Sequence, residues 1–286
     1  MMSQFYNNAK TALLLGLMTG LILWVGVILG GQQGLFIALI MAGVMNFGSY
    51  FYSDKIALAS MSAEEVGPEN ELYQIVQQLT QRAGLPMPRV YVSPVQAPNA
   101  FATGRNPNHA AVCATQGLLQ MLSHDEIAGV MGHELAHVKH RDILITTIAA
   151  TVAAAITILS RMLYWGGGRR DRDVNPLAML AIMLLASLGA GLIQAAISRS
   201  REFNADKEGA ELVGDPMILA TALEKIHLAS KKIPLDVNPA FNALFIAEPL
   251  NPFQAAANLF STHPPLEARL MNLIGRESTG KFRYAA

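Results

Sequence analysis

His133-Glu134-Leu135-Ala136-His137 spells H-E-x-x-H, and the ten residues before it set its conformation. Ser123 with Glu126 three positions later is a capping-box pattern, and Ile127, Val130, Met131, Leu135 and Val138 then recur at helical spacing. On such a helix the two histidines, at i and i+4, leave the same face and can meet one ion. A catalytic zinc takes three protein ligands and keeps a fourth position for water, whose pKa it lowers from about 15.7 towards roughly 7. Glu134, between the histidines, is placed to accept that water's proton and pass it to a leaving nitrogen. The pattern points to metal-dependent hydrolysis with Glu134 as general base.

Two histidines do not complete a zinc site. The extended form H-E-x-x-H-x-x-G-x-x-H is excluded, because His140 stands where glycine is needed and Ile143 where the third histidine is needed. A distant carboxylate is required. Glu202 fits best, because Asp206 follows one turn later on the same helix face and can accept a hydrogen bond from a ligand histidine. Glu208, Glu211 and Glu224 remain open on spacing alone.

Upstream of the motif the sequence reads as a small mixed α/β region. A helix is expected from Pro68 to about Gly84, with Leu72, Ile75, Val76 and Leu79 on one face. Arg89–Val92 and His109–Cys113 suit strands, and Asn99-Ala100-Phe101-Ala102 between them suits an edge strand. Downstream, a helix through Glu202, Asp206 and Leu212 ends at Gly214, Asp215-Pro216 opens another, and a last helix runs from Pro265 to about Ile274. Lys231 to Phe260 reads as a long loop with a binding or lid role.

The composition calls for a bilayer. Of 286 residues 52% are hydrophobic and only 15% charged, outside the usual soluble range. Net charge is zero with no long basic run, which argues against a nucleic-acid partner, and the single Cys113 excludes an internal disulfide or a Cys-based zinc cluster. Thr11 to Ser53 carries no charge and is divided by Gly31-Gln32-Gln33-Gly34, so each half matches the roughly 20 residues of a membrane-crossing helix. Ile143–Ser160 and Val174–Ser198 are also uncharged, separated by a loop with Arg161, Arg169, Arg170 and Arg172. Four full crossings are expected; a partly inserted hairpin or a soluble helical cap are the other readings of this second pair. The resulting division is 1–53, a transmembrane hairpin; 54–142, the first part of a catalytic domain; 143–198, a second hydrophobic helix pair; and 199–286, the second part. His137 lies just before one apolar run and Glu202 just after the next, so the metal is expected close to the membrane surface. His140 is expected near that surface or near glutamates, and Arg201 beside a carboxylate or a lipid phosphate.

Four features together carry a resemblance: the apolar N-terminal hairpin, Pro98-Asn99-Ala100-Phe101-Ala102-Thr103-Gly104, His133-Glu134-Leu135-Ala136-His137, and Arg201-Glu202-Phe203-Asn204-Ala205-Asp206. Over nearly its full length the chain resembles the membrane-bound M48 peptidase family, in its bacterial HtpX-type branch. The resemblance implies an α-rich α+β architecture, in which integral membrane helices join a gluzincin-type zinc metallopeptidase domain with a small edge-stranded sheet. It implies one zinc ion per chain, Glu202 as third ligand with Asp206 behind it, and Asn99 and Ala100 on an edge strand to which substrate backbone adds. His263, in Thr262-His263-Pro264-Pro265, is implied near the metal, either stabilising an oxyanion or occupying the open metal position; a histidine simply fixed at a helix start is the structural alternative.

The resemblance further implies a multi-pass protein of the bacterial cytoplasmic (inner) membrane, with its catalytic domain facing the cytoplasm. Its partners would be the bilayer and misfolded membrane proteins or unfolded polypeptides, in stress response and protein quality control. A zinc-binding membrane scaffold without activity is the other class of function, but it has no use for Glu134. Metal transport would want ionisable residues inside the apolar runs, which hold none. Processing of prenylated proteins, as in eukaryotic relatives, would bring a larger set of spans.

Overall fold

A computed structural model describes residues 2–148, 199–233 and 264–281. Residues 149–198 and 234–263, His263 among them, lie outside the described residues, as do the expectations that fall on them.

The first element, α1 (Met2–Ser60), is helical on either side of a break at Gly30 (φ −147°, ψ 15°) and Gly31 (φ 56°, ψ −135°). Gly31 adopts a backbone conformation that side-chain-bearing residues rarely reach, so the chain reverses there. The turn falls slightly before the middle of the Gly31–Gly34 stretch expected from sequence. Gly34 serves a different purpose: a Cβ there would lie 2.0 Å from the carbonyl oxygen of Gly26, so the two arms touch backbone to backbone. Farther from the turn, Asn46 Nδ2 donates to Thr19 Oγ1 at 2.8 Å across the arms. The second arm, Gly30–Ser60, has 31 residues and is the one helix among the described residues long and apolar enough to cross a membrane. At 1.5 Å per residue it exceeds the roughly 30 Å hydrocarbon core. Its outer face exposes Phe36, Leu39, Ile40 and Val44.

A four-stranded sheet follows, in the order β1-β2-β4-β3. Its strands are β1 (Glu64–Glu65), β2 (Arg89–Ser93), β3 (Ala100–Gly104) and β4 (Ala110–Thr115). β2 and β4 are parallel, with Tyr91 opposite Cys113, while β3 runs antiparallel to β4 with Ala102 opposite Val112. β4 begins one residue later than expected because His109 closes a 3-10 turn, Pro107–His109, capped by Asn106. β1 was not legible: two adjacent glutamates show no strand alternation, and they become a strand only by pairing with Val92 and Tyr91.

The helix between β1 and β2, α2 (Glu71–Ala83), starts later than the expected Pro68, because Asn70 accepts a hydrogen bond from Leu72 N and so is the cap. Gly84, at φ 65°, ends it. After β4 come α3 (Gln116–Met121) and α4 (His124–His140), whose capping box between Ser123 and Glu126 is formed in both directions. Residues 142–148 are helical as well, and farther along, among the described residues, come α5 (Arg199–Val213), α6 (Pro216–Ser230, capped by Asp215) and α7 (Leu266–Ile274). Leu72, Ile75, Val76 and Leu79 of α2 meet Ile127, Val130, Met131 and Leu135 of α4, with Leu219, Leu223, Ile226 and Leu270 closing the core. The helix carrying the histidines is thus buried between the sheet on one side and α5 and α6 on the other.

Candidate metal centre

α4 and α5 cross at two glycines. A Cβ on Gly209 would lie 2.6 Å from His133 N and 2.9 Å from its Cα, and one on Gly132 would lie 2.9 Å from Gly209 O. Only this close approach lets the short Glu202 side chain, seven positions before Gly209, reach the histidines. His133 Nε2 and His137 Nε2 are 3.3 Å apart, and the Glu202 carboxylate lies 3.7 Å from the first and 3.5 Å from the second. These ligand atoms all fall within 4.8 Å of one another. A tetrahedral ion with bonds of about 2.0–2.1 Å has ligand–ligand edges of about 3.4 Å. The triangle of two imidazole nitrogens and a carboxylate oxygen therefore fits one divalent ion and leaves a fourth corner open.

Each histidine is backed by a carboxylate, and each carboxylate by an arginine. His133 Nδ1 lies 2.9 Å from Asp206 Oδ1. Asp206 in turn accepts from Arg269 Nε at 2.9 Å and Nη2 at 2.5 Å, a two-pronged grip inside the protein. His137 Nδ1 lies 3.4 Å from Asp142 Oδ2, a longer contact, and Arg201 Nη1 donates to Asp142 Oδ1 at 3.3 Å. An anionic Asp206 requires the proton of His133 to sit on Nδ1, so the Nε2 lone pair faces the position an ion would take among the three ligand atoms.

The charges sort themselves accordingly. Burial drives His133 down to about 4, more strongly than Asp206 raises it, so this ring is neutral at pH 7. Burial also depresses His137, but the carboxylates of Glu202, Asp142 and Glu134 outweigh it and raise His137 to about 9. Asp206 is pulled down to about 2, because Arg269 overcomes the effect of burial. Glu134 is buried one residue beyond His133, close enough for its charge to act on both His137 and Arg269.

The structure also distributes the carboxylates that spacing left open. Glu208 is held by His140 Nε2 at 2.5 Å and Lys139 Nζ at 2.8 Å, Glu224 is bound to the Thr279 backbone N–H at 2.9 Å, and Glu211 is exposed. None joins the triangle. Asp142 and Arg269 were missed in the sequence. Asp142 follows Arg141, whose left-handed φ of 59° ends α4 and turns the chain back beside His137. Arg269 had a signal: it lies on the same helical face as Leu266 and Leu270, where an arginine needs a buried partner.

β3 lies directly against α4. Asn99 precedes it, with its C=O accepting from Thr115 N at 2.9 Å and its N–H bonding Thr115 Oγ1 at 2.9 Å. Inward and outward pairs alternate in an antiparallel ladder. The N–H and C=O groups of Ala100 and Ala102 therefore point away from β4, toward the edge that no strand occupies among the described residues.

The model of peptidase family M48 matches residues 67–277, which include every residue of this centre. The chain belongs to peptidase family M48. A protease HtpX homolog of Desulforapulum autotrophicum is 52% identical over 276 residues, covering 93% of this chain and 89% of that protein. One from Paraburkholderia phytofirmans is 49% identical, covering 97% of this chain and 99% of that protein. Among solved structures, Ste24p of S. mikatae superposes with a TM-score of 0.52 at 19% identity, over 95% of this chain and 66% of that one. At that identity the likeness speaks for the fold alone. This M48 peptidase is a metalloprotease associated with a membrane.

The glycine crossing sets a test of how this M48 peptidase holds its centre. Gly209→Ala places a methyl group on the His133 backbone, where only a separation of the helices relieves it. The expected loss is about 1–3 kcal/mol of stability, together with at least about tenfold weaker metal binding as Glu202 and Asp206 withdraw. Thermal unfolding and metal competition measure the two; an unchanged affinity would show that the crossing does not set ligand spacing.

Proposed function

We propose that the chain is a zinc-dependent endopeptidase embedded in the bacterial inner membrane. It hydrolyses peptide bonds of misfolded or damaged membrane proteins at the cytoplasmic face. One observation carries this reading: a His133–His137–Glu202 triangle of tetrahedral dimensions, buried but for the half-buried His137, with Glu134 beside it, on a domain that continues from an apolar hairpin. Two imidazoles and a carboxylate suit zinc among the common divalent ions. Zinc would polarise the substrate carbonyl and acidify the attacking water.

The chain's own residues do the rest. Glu134 takes the water's proton and returns it to the departing amide nitrogen. Asp206 and Arg269 fix the ring of His133, and Asp142 and Arg201 that of His137, so the ligands do not rotate away when charge develops. Ala100 and Ala102 offer outward backbone groups to an extended substrate, which becomes a fifth strand; such binding reads backbone and little side-chain identity, as a quality-control peptidase needs. Asn99, at the start of this edge, would hold the substrate backbone near the metal. His263 would complete the site as an oxyanion donor. The segments 143–160 and 174–198 would cross the bilayer beside the hairpin and keep the centre at its surface.

The test is metal removal and return with the full chain in detergent and an unfolded membrane protein as substrate. Chelation should abolish cleavage, and one equivalent of zinc should restore it. In the metal-free protein a proton on His137 occupies the metal's place. Because His137 is raised to about 9, zinc must displace that proton at neutral pH. Zinc affinity should therefore tighten about tenfold per pH unit between pH 7 and 8, and one proton should be released per zinc bound. Cleavage that survives complete zinc removal, or restoration without zinc, would end this reading.

A further inference from the structure

Where the second arm of α1 meets the sheet, a cavity of about 510 Å³ opens between the helix end and the β3–β4 connection. One wall is aromatic: Phe47, Tyr50, Phe51 and Tyr52, stacked along the helix with ring centroids 4.5 Å apart for Phe47–Phe51 and 5.0 Å for Tyr50–Phe51. The other wall is cationic. Arg89 is already engaged, with Asp54 at 2.8 Å and the Tyr91 hydroxyl at 3.0 Å. Lys55 and Arg105 are not: Lys55 Nζ lies over the Tyr52 ring at 5.3 Å and the Arg105 guanidinium over the Phe51 ring at 5.3 Å. Among the described residues neither has a carboxylate within ion-pair distance. Three cations against the single carboxylate of Asp54 leave the cavity with a surplus of two positive charges.

We propose that this cavity binds the headgroup of an anionic glycerophospholipid, with the phosphate between Lys55 and Arg105 and an acyl chain along the exposed face of α1. Its position selects this occupant. Tyrosine and other aromatic side chains at the end of a membrane-crossing helix sit at headgroup depth, and lysine and arginine there face lipid phosphates. Phe47 and Val44, 57% and 67% exposed, continue the aromatic wall into the apolar surface where a lipid tail would lie. A guanidinium and an ammonium held over rings bind a phosphodiester by charge and by hydrogen bonds together, without giving up the ring contact. A soluble anion would use the two cations but not the apolar continuation. The inference rests on the membrane placement of α1 and not on the chemistry at His133. Its consequence is that a bound lipid would lock the end of the hairpin onto the β3–β4 turn, and so onto the far end of the edge strand.

The test uses the full chain with zinc, purified in a mild detergent, exposed to equimolar phosphatidylglycerol and phosphatidylcholine of identical acyl chains. Bound lipid is counted by native mass spectrometry. Wild type should retain phosphatidylglycerol in excess. Lys55→Gln and Arg105→Gln should each lower that excess about fivefold, while Arg105→Lys keeps most of it and Arg276→Gln, an exposed cation beside Met217 that does not line the cavity, changes nothing. Unfolding midpoints accompany each variant. If Lys55→Gln fails to fold, the comparison of Arg105→Gln with Arg105→Lys decides alone. Equal retention of the two lipids by wild type would overturn the proposal, as would a preference that survives Arg105→Gln. Binding of inorganic phosphate that phosphatidylglycerol cannot displace would assign the cavity to a soluble anion instead, and would leave the zinc reading untouched.

Discussion

Glu134→Gln should fold, take up zinc as wild type does, and cleave about 10³-fold more slowly, within the range that positioned proton transfer contributes. At 1.36 kcal/mol per decade this is about 4 kcal/mol of barrier. The substitution keeps size and shape but removes a carboxylate of the centre that neither joins the ligand triangle nor backs a histidine there. Glutamine cannot accept a proton, so the attacking water keeps its own and the leaving nitrogen receives none. Retained zinc matters as much as lost rate, because it separates a missing base from a collapsed site. Single-turnover cleavage alongside metal analysis measures both. Equal rates for the two proteins would sink the general-base role.

Arg269→Met should be the most damaging single change to stability outside the apolar core. Arg269 is 2% exposed and grips both oxygens of Asp206, which is 1% exposed. Without it a buried carboxylate stands uncompensated, at a cost of about 3–5 kcal/mol. The sign with pH follows from the lowered pKa. Asp206's contribution is complete above its unfolded value of about 4 and is lost as pH falls through about 2, so neutral pH shows the whole effect. Protonation relieves the charge but leaves Asp206 a neutral and weaker acceptor for His133 Nδ1. Zinc affinity should accordingly fall about 10–100-fold. The double variant Arg269→Met with Asp206→Asn removes both charges and should be more stable than Arg269→Met alone. A single variant within about 1 kcal/mol of wild type would show that the pair is not held as buried charge.

The parts of the fold legible in sequence were those whose signals lie within one or two helical turns. Ser123 and Glu126 marked the start of α4, the spacing of Ile127 to Val138 marked its buried face, and Asp215-Pro216 marked the start of α6. The reversal of α1 was readable to within a few residues from its glycines, although which glycine turns and which one packs depended on contacts between the arms. At the site, the H-E-x-x-H face followed from periodicity, and spacing alone left Glu202 among four carboxylates. What separates them is the approach of Gly132 to Gly209, a contact between segments far apart in the chain that no local pattern encodes. Asp142 was hidden for a different reason: its place beside His137 depends on a left-handed Arg141, a residue type with no preference for that conformation. β1 exists only because β2 offers it an edge.

The grip of Arg269 on Asp206 also orders events in time. His133 and Arg269 stand 136 positions apart, and a ribosome adding roughly 5–20 residues per second needs about 7 to 27 seconds to cover that distance. Throughout that interval the H-E-x-x-H helix is already made while the arginine that secures Asp206 behind His133 is not. The support behind His133 is therefore complete only once the helix that carries Arg269 has been made and packed against Asp206.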